Sequence, residues 1–155
     1  MNSKFGLTGI SMLLVLAALV ACGGGGGGGS STPLAGSLDT SFDTDGIVTT
    51  PFGISHDANA IALQSDGKIV VAGRSSDSGV SDVALARSHA NGSLDTSFDG
   101  DGIVTTTVGV GNNDDVANVI ALQSDGKIVV AGRSSDSGVS GDNIALARYN
   151  ANGSL

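Results

Sequence analysis

The chain has 155 residues, a formal net charge of −8, one cysteine, no tryptophan and only 3 % aromatic residues. A chain this acidic, with its few cations scattered singly, is not built to neutralise phosphates, which excludes nucleic acid as a partner. One cysteine leaves no intramolecular disulfide, and the lack of tryptophan argues against the aromatic platforms on which sugar-binding proteins rely.

Lys4 opens a short positive segment, and Leu7 to Ala21 is an apolar run too short for a stable membrane span. It ends in Leu19-Val20-Ala21-Cys22, which resembles the lipobox of a bacterial lipoprotein signal. The resemblance implies that residues 1–21 are a signal peptide and that Cys22 is the lipidation site, acylated on its thiol. The alternative is an ordinary secretory signal with an incidental cysteine. Gly23 follows Cys22 where an aspartate would retain a lipoprotein; by resemblance to proteobacterial lipoproteins this implies an outer-membrane or cell-surface address. Residues 22–35 then form a lipidated cysteine and a Gly/Ser-rich linker, with seven consecutive glycines at Gly23 to Gly29. Such a stretch has no side chains to bury against its ordering entropy, and its reach is roughly 20 Å. No Lys-Ser/Thr pair accompanies the glycines, so they are not a phosphate cradle.

Residues 36–155 are a duplicated unit. The 21 residues Ile61 to Ser81 return letter for letter as Ile120 to Ser140, and Gly36 to Thr50 returns as Gly92 to Thr106 with only Thr44 changed, to Gly100. A repeat array is one structural unit used again, here over about 36–91 and 92–152. In chain order, the outer strand Asp45–Thr50 comes first, then Ala58–Gln64 and Lys68–Arg74. Asp66-Gly67 between the last two is a hairpin signal. Taken as a two-residue loop, it places Ile61, Leu63, Val70 and Ala72 on one face and Ala60, Ala62, Ile69 and Val71 on the other. Both faces are apolar and need cover. Ser75 to Ser81 reads as a polar loop, Val83–Ser88 as a third strand and Gly102–Thr107 as a more polar fourth. The second unit repeats the pattern up to its third strand, Ile144–Tyr149. Its extra residues fall where Val108–Asp114 replaces Phe52–His56, and where Gly141-Asp142-Asn143 replaces Asp82.

Four antiparallel strands with apolar inner strands and a polar outer strand is the profile of a propeller blade. The chain therefore reads as all-β, two four-stranded blade-like units of an incomplete β-propeller. The motifs Leu38 to Phe42 and Leu94 to Phe98, Asp66 to Gly73 and Asp125 to Gly132, and Ala145 to Tyr149 resemble the delta-60 repeat, an uncharacterised bacterial family taken to form propellers in secreted and surface proteins. The resemblance implies a fold and an address, and no activity. Propellers close with about four to eight blades. The chain is then a fragment of a longer array, or two to four copies share one ring, and an end three residues into another copy of the motif favours a fragment.

Candidate chemistry is sparse. Asp43, Asp45, Asp99 and Asp101 alternate before glycines as calcium ligands can, yet supply only two or three of the six to eight oxygens calcium takes; setting the turn into the outer strand is the simpler reading. Asn112 to Asp115 reads as a solvated loop tip. His56 and His89 have no nucleophile or carboxylate pair placed beside them by the sequence and read as surface groups. Arg87 and Arg148 read as partners for carboxylates such as Asp39 or Asp95, and Phe42 and Phe98 as plugs between blades.

The function expected is that of a non-enzymatic, lipid-anchored surface protein, a repeat scaffold or interaction module that uses no cofactor. Its partners would be the membrane, through the anchor, and itself or another protein. The alternative is a fragment of a longer extracellular propeller, carbohydrate-binding or hydrolytic, whose site lies on other blades.

Overall fold

A computed structural model describes residues 36–51, 53–77, 79–109, 114–135 and 141–155. Cys22, the linker, the apolar segment and Asn112-Asn113 lie outside them. The described residues are all-β, in two antiparallel sheets. The first holds β1 (Ser55–Leu63), β2 (Ile69–Ser76), β3 (Ser81–Ser88) and β4 (Ile103–Thr106) in the order β1-β2-β3-β4. The second holds β5 (Asp115–Leu122), β6 (Ile128–Ser135) and β7 (Asp142–Tyr149) in the order β5-β6-β7.

Two expectations are corrected here. The second sheet has three strands among the described residues, not four. None of Asp45–Thr50, read as an outer strand, is in strand conformation, residues 47–50 included. Their repeat equivalents 103–106 form β4 because β3 lies alongside to pair with them, and 47–50 have no such neighbour among the described residues. A strand is a pairing as well as a propensity.

The hairpin register is a further correction. Gln64 N–H donates to the Lys68 carbonyl and Gly67 N–H to the Gln64 carbonyl, at 2.8 and 2.9 Å. Leu63 therefore faces Ile69, and Ala62 faces Val70. The loop has three residues, Ser65-Asp66-Gly67, with Gly67 at a φ of 84°, the position that such a loop reserves for glycine. Asp66 fixes it by accepting from the Lys68 N–H and pairing with Lys68 Nζ at 2.6 Å; Asp125 and Lys127 repeat both contacts. The one-residue change re-sorts the faces. Val70, Ala72, Val83, Leu85, Arg87 and Val104 share one, called the front; Ile61, Leu63, Ile69, Val71, Ala84, Ala86 and Ser88 share the back.

A bulge between Ala58 and Ala60 bends β1 over β2, and another between Ala117 and Val119 bends β5 over β6. Each bend brings backbone onto a glycine. A Cβ added at Gly73 would sit 1.8 Å from the Asp57 carbonyl oxygen, and one at Gly132 1.8 Å from that of Val116. Polar groups also enter strands read as loop: Ser75, Ser76 and Ser81 extend β2 and β3.

The core lies between the sheets. Val70, Ala72, Val83, Leu85 and Val104 of the first sheet cluster with Ala117, Ile128, Val130 and Tyr149 of the second, and Phe98 closes the group. The front of the first sheet thus rests on the back of the second.

Candidate functional site

Equivalent side chains have opposite fates in the two units. On the front, Leu85 and Val83 are 0 % and 2 % exposed, while their repeat equivalents Leu146 and Ile144 are 68 % and 92 % exposed. On the back the order reverses: Ile128 is fully buried in the second unit, whereas Ile69 in the first is only half-covered and Ile61 is 68 % exposed. The two units stack front to back, which leaves one back and one front without a neighbouring sheet among the described residues. No local property separates Leu85 from Leu146. Their different burial comes from the stacking.

The joint between the units is held by side chains at fixed places in the repeat. Arg87, at the end of β3, is buried; its Nε donates to Asp95 Oδ2 at 2.8 Å and its Nη2 to Ser97 Oγ at 3.1 Å. Its Nη1 donates to the Ala151 carbonyl of the second unit, and its guanidinium lies 4.6 Å from the centre of the Phe98 ring. Ser97 Oγ and the Ser97 N–H both donate to Asp95 Oδ1. Burial pushes the Asp95 carboxyl up, but the Ser97 hydrogen bonds and the adjacent Arg87 charge outweigh it and hold the group below the usual carboxylate range. The expected pairing of Arg87 with Asp95 is present. The Arg148 pairing is not: Arg148 is exposed and makes no ion pair among the described residues, and Asp39 is also exposed, bonded to Ser41.

Phe98 fills the place expected of a plug. It packs against Gly153, where an added Cβ would meet the ring at 3.1 Å, and the next residue, Asp99, donates its N–H to the Asn152 carbonyl at 2.8 Å. Phe42 stands in the same relation to the first unit. Gly92 would meet its ring at 3.3 Å, and Asp43 N–H donates to the Asn91 carbonyl at 2.8 Å. Residues 36–50 thus lie on the back of the first unit much as 92–106 lie on the back of the second.

Three further bonds cross the joint: Tyr149 OH donates to Thr106 Oγ1 at 2.8 Å, Asn59 Nδ2 to the Ala117 carbonyl at 3.0 Å, and the Ser81 N–H to Asp114 Oδ1 at 3.3 Å. Burial raises the Tyr149 phenol above its ordinary value, partly offset by the bond to Thr106. The Tyr149 contact was not legible beforehand, since Tyr149 is a departure from the repeat; its equivalent is Ser88. The space at this joint is closed, with no volume for a water between Val83, Val130, Ala145 and their neighbours. The free back of the first unit instead holds an apolar cavity of about 330 Å³, walled by Phe42, Val48, Ile61, Ile69, Val71 and Ala86, with His56 and the Asp57–Arg74 pair at its edge.

The aspartate turns act on their own backbone. Asp45 Oδ1 accepts from the Ile47 N–H at 2.8 Å and Asp101 Oδ1 from the Ile103 N–H at 2.9 Å. Asp43, Thr44 and Asp99 take positive φ values of 47, 70 and 51°, a region aspartate tolerates better than most residues. No group of three or more His, Cys, Asp or Glu among the described residues is placed to hold a metal. His89 Nε2 lies 3.6 Å from Asp95 Oδ1, a proximity the sequence did not indicate, and that carboxylate is already committed to Arg87 and Ser97. The loop-tip reading of Asp115 is corrected. This residue is fully buried, and its Oδ2 accepts from the Val108 and Gly109 N–H groups at 2.7 and 3.3 Å. It pins the loop instead of capping it. Asp114 does remain exposed.

The model of a β-propeller domain of unknown function (DUF5122) matches residues 64–98 and 123–155. Each match starts at a hairpin and runs through the second and third strands of its unit into the start of the following motif, so the family's repeat straddles the joint described above. Neither a curated protein nor a solved structure matched the chain. The two units are β-propeller-type repeats, and together they form an incomplete propeller.

Proposed function

We propose that this is a lipid-anchored bacterial surface protein whose delta-60-type propeller repeats serve, without enzymatic activity, as a scaffold or interaction module. The observation that carries the reading is the pairing of Cys22, at the end of an apolar run and before a glycine leash, with a repeat stack that presents an apolar sheet face at each end. The first would tether the chain at the outer membrane or cell surface; the second supplies surface for protein contacts. Contiguous exposed apolar surface marks interaction sites more often than accident. The buried charges support the same reading, because Arg87 and Asp95 are occupied in holding the joint and Asp115 Oδ2 in holding a loop.

Metabolic labelling with an alkynyl fatty acid tests the anchor. Bacteria expressing the full chain should yield labelled protein in the membrane fraction, and Cys22→Ser should abolish the label. Label that persists on the Cys22→Ser chain would overturn the reading.

A further inference from the structure

The exposed faces at the two ends of the stack are the two halves of a joint the molecule already makes. The free front of the second unit carries Ile144, Leu146 and Arg148, which correspond to Val83, Leu85 and Arg87. The free back of the first carries Ile61, Leu63, Ile69 and Val71, which correspond to Ile120, Leu122, Ile128 and Val130. Residues 36–50 already lie on that back as 92–106 lie on the other. We infer that the occupant of each free face is a second copy of this chain, docked through a repetition of the internal joint, so that copies join head to tail.

The internal joint fixes the contacts of the external one. β3 pairs Val83 with Thr106 and Leu85 with Val104, so β7 of one copy takes residues 47–50 of the next as a fourth strand, Ile144 facing Thr50 and Leu146 facing Val48. Arg148 meets Asp39 and Ser41 of the next copy, as Arg87 meets Asp95 and Ser97, and reaches the Ala90 carbonyl as Arg87 reaches that of Ala151. This would complete both an arginine with no ion pair among the described residues and an exposed carboxylate. It would cover Leu146, Ile144 and Ile61, and end the open edge of β7. The contacts are not all alike. Ser88 stands where Tyr149 fills the internal joint, and part of the cavity of about 330 Å³ stays open there. A contact between unlike faces is heterologous and either closes into a ring or grows without limit. Propellers close with about four to eight blades, which two to four copies of a two-blade chain provide.

The inference goes beyond the proposed anchoring and does not depend on it. The test is sedimentation of the full chain in nonionic detergent at micromolar concentration, with the charges of the outer joint reversed. The parent should sediment as a closed assembly of two to four copies. Arg148→Asp and Asp39→Arg each place like charges across the joint and should weaken assembly at least tenfold, and the double variant should restore it. Both residues are exposed, so each variant should keep its β-type circular dichroism spectrum; Leu146→Asp, equally exposed, should dissociate the assembly in the same way. A parent that is monomeric at these concentrations overturns the inference. So does an assembly unaffected by either reversal, or a double variant as dissociated as the singles.

Discussion

Leu85 and Leu146 are the same residue of the same repeat, and truncating each to alanine should give very different results. Leu85 is fully buried at the joint, facing Val104 on β4. Its loss removes transfer energy and leaves a cavity that rigid strands collapse poorly, about 3–5 kcal/mol together. Leu146 is 68 % exposed, so only about a third of a burial term of 1.5–3 kcal/mol is at stake, roughly 0.5–1 kcal/mol, with no cavity. A domain of this size shifts in Tm by about 3–5 °C per kcal/mol, interpolating between smaller and larger domains. Leu85→Ala should therefore melt about 10 °C or more below the parent, and Leu146→Ala within a few degrees of it. Thermal unfolding of the full chain, followed by far-UV circular dichroism at the lowest usable concentration, measures both. Repeating the melts at a hundredfold higher concentration adds a second reading. If copies dock head to tail, mass action should raise the parent Tm, and Leu146→Ala should fall behind it. Equal losses for the two variants in dilute solution would refute the assignment of buried and free fronts.

Two further outcomes follow from the sheets. Gly73→Ala and Gly132→Ala each drive a Cβ to 1.8 Å from a carbonyl oxygen of the bulged neighbouring strand, so each should destabilise the fold by about 4 kcal/mol or more, among the largest effects a single substitution has; urea midpoints close to the parent's would show that the bulge can relax. Asp95 makes the acid response traceable to one pair. Its folded pKa lies below its ordinary value, so the stability it contributes is fully present above the unfolded carboxylate value of about 3.9 and is lost as pH falls through the lower folded value. Asp95→Asn strands a buried Arg87 and should cost about 3–5 kcal/mol at neutral pH, and the Tm gap to the parent should narrow below about pH 4. Parallel curves down to pH 3 would mean that the pair does not drive acid unfolding.

Much of this molecule can be read from its residues. The doubled sequence, the Asp-Gly hairpins and the apolar runs define an all-β repeat with strands close to those observed. The places of Arg87 beside Asp95 and of Phe98 between the units are also legible, because each acts at short range along a fixed motif. The hairpin register is settled less directly. Asp66 binding the Lys68 N–H and Gly67 at positive φ make a three-residue loop, and counting two residues instead moves Ile61 and Leu63 to the wrong face. What the sequence cannot hold is the inequality of its own repeats. Ile61 to Ser81 and Ile120 to Ser140 have the same letters, hence the same propensities and the same two apolar faces. Which face is buried depends on which neighbour arrives, and burial is a property of a pair of surfaces. Stacking front to back gives the first unit a covered front and the second a covered back. Only the tertiary structure makes that choice, and it leaves Leu85 in the core and Leu146 in water.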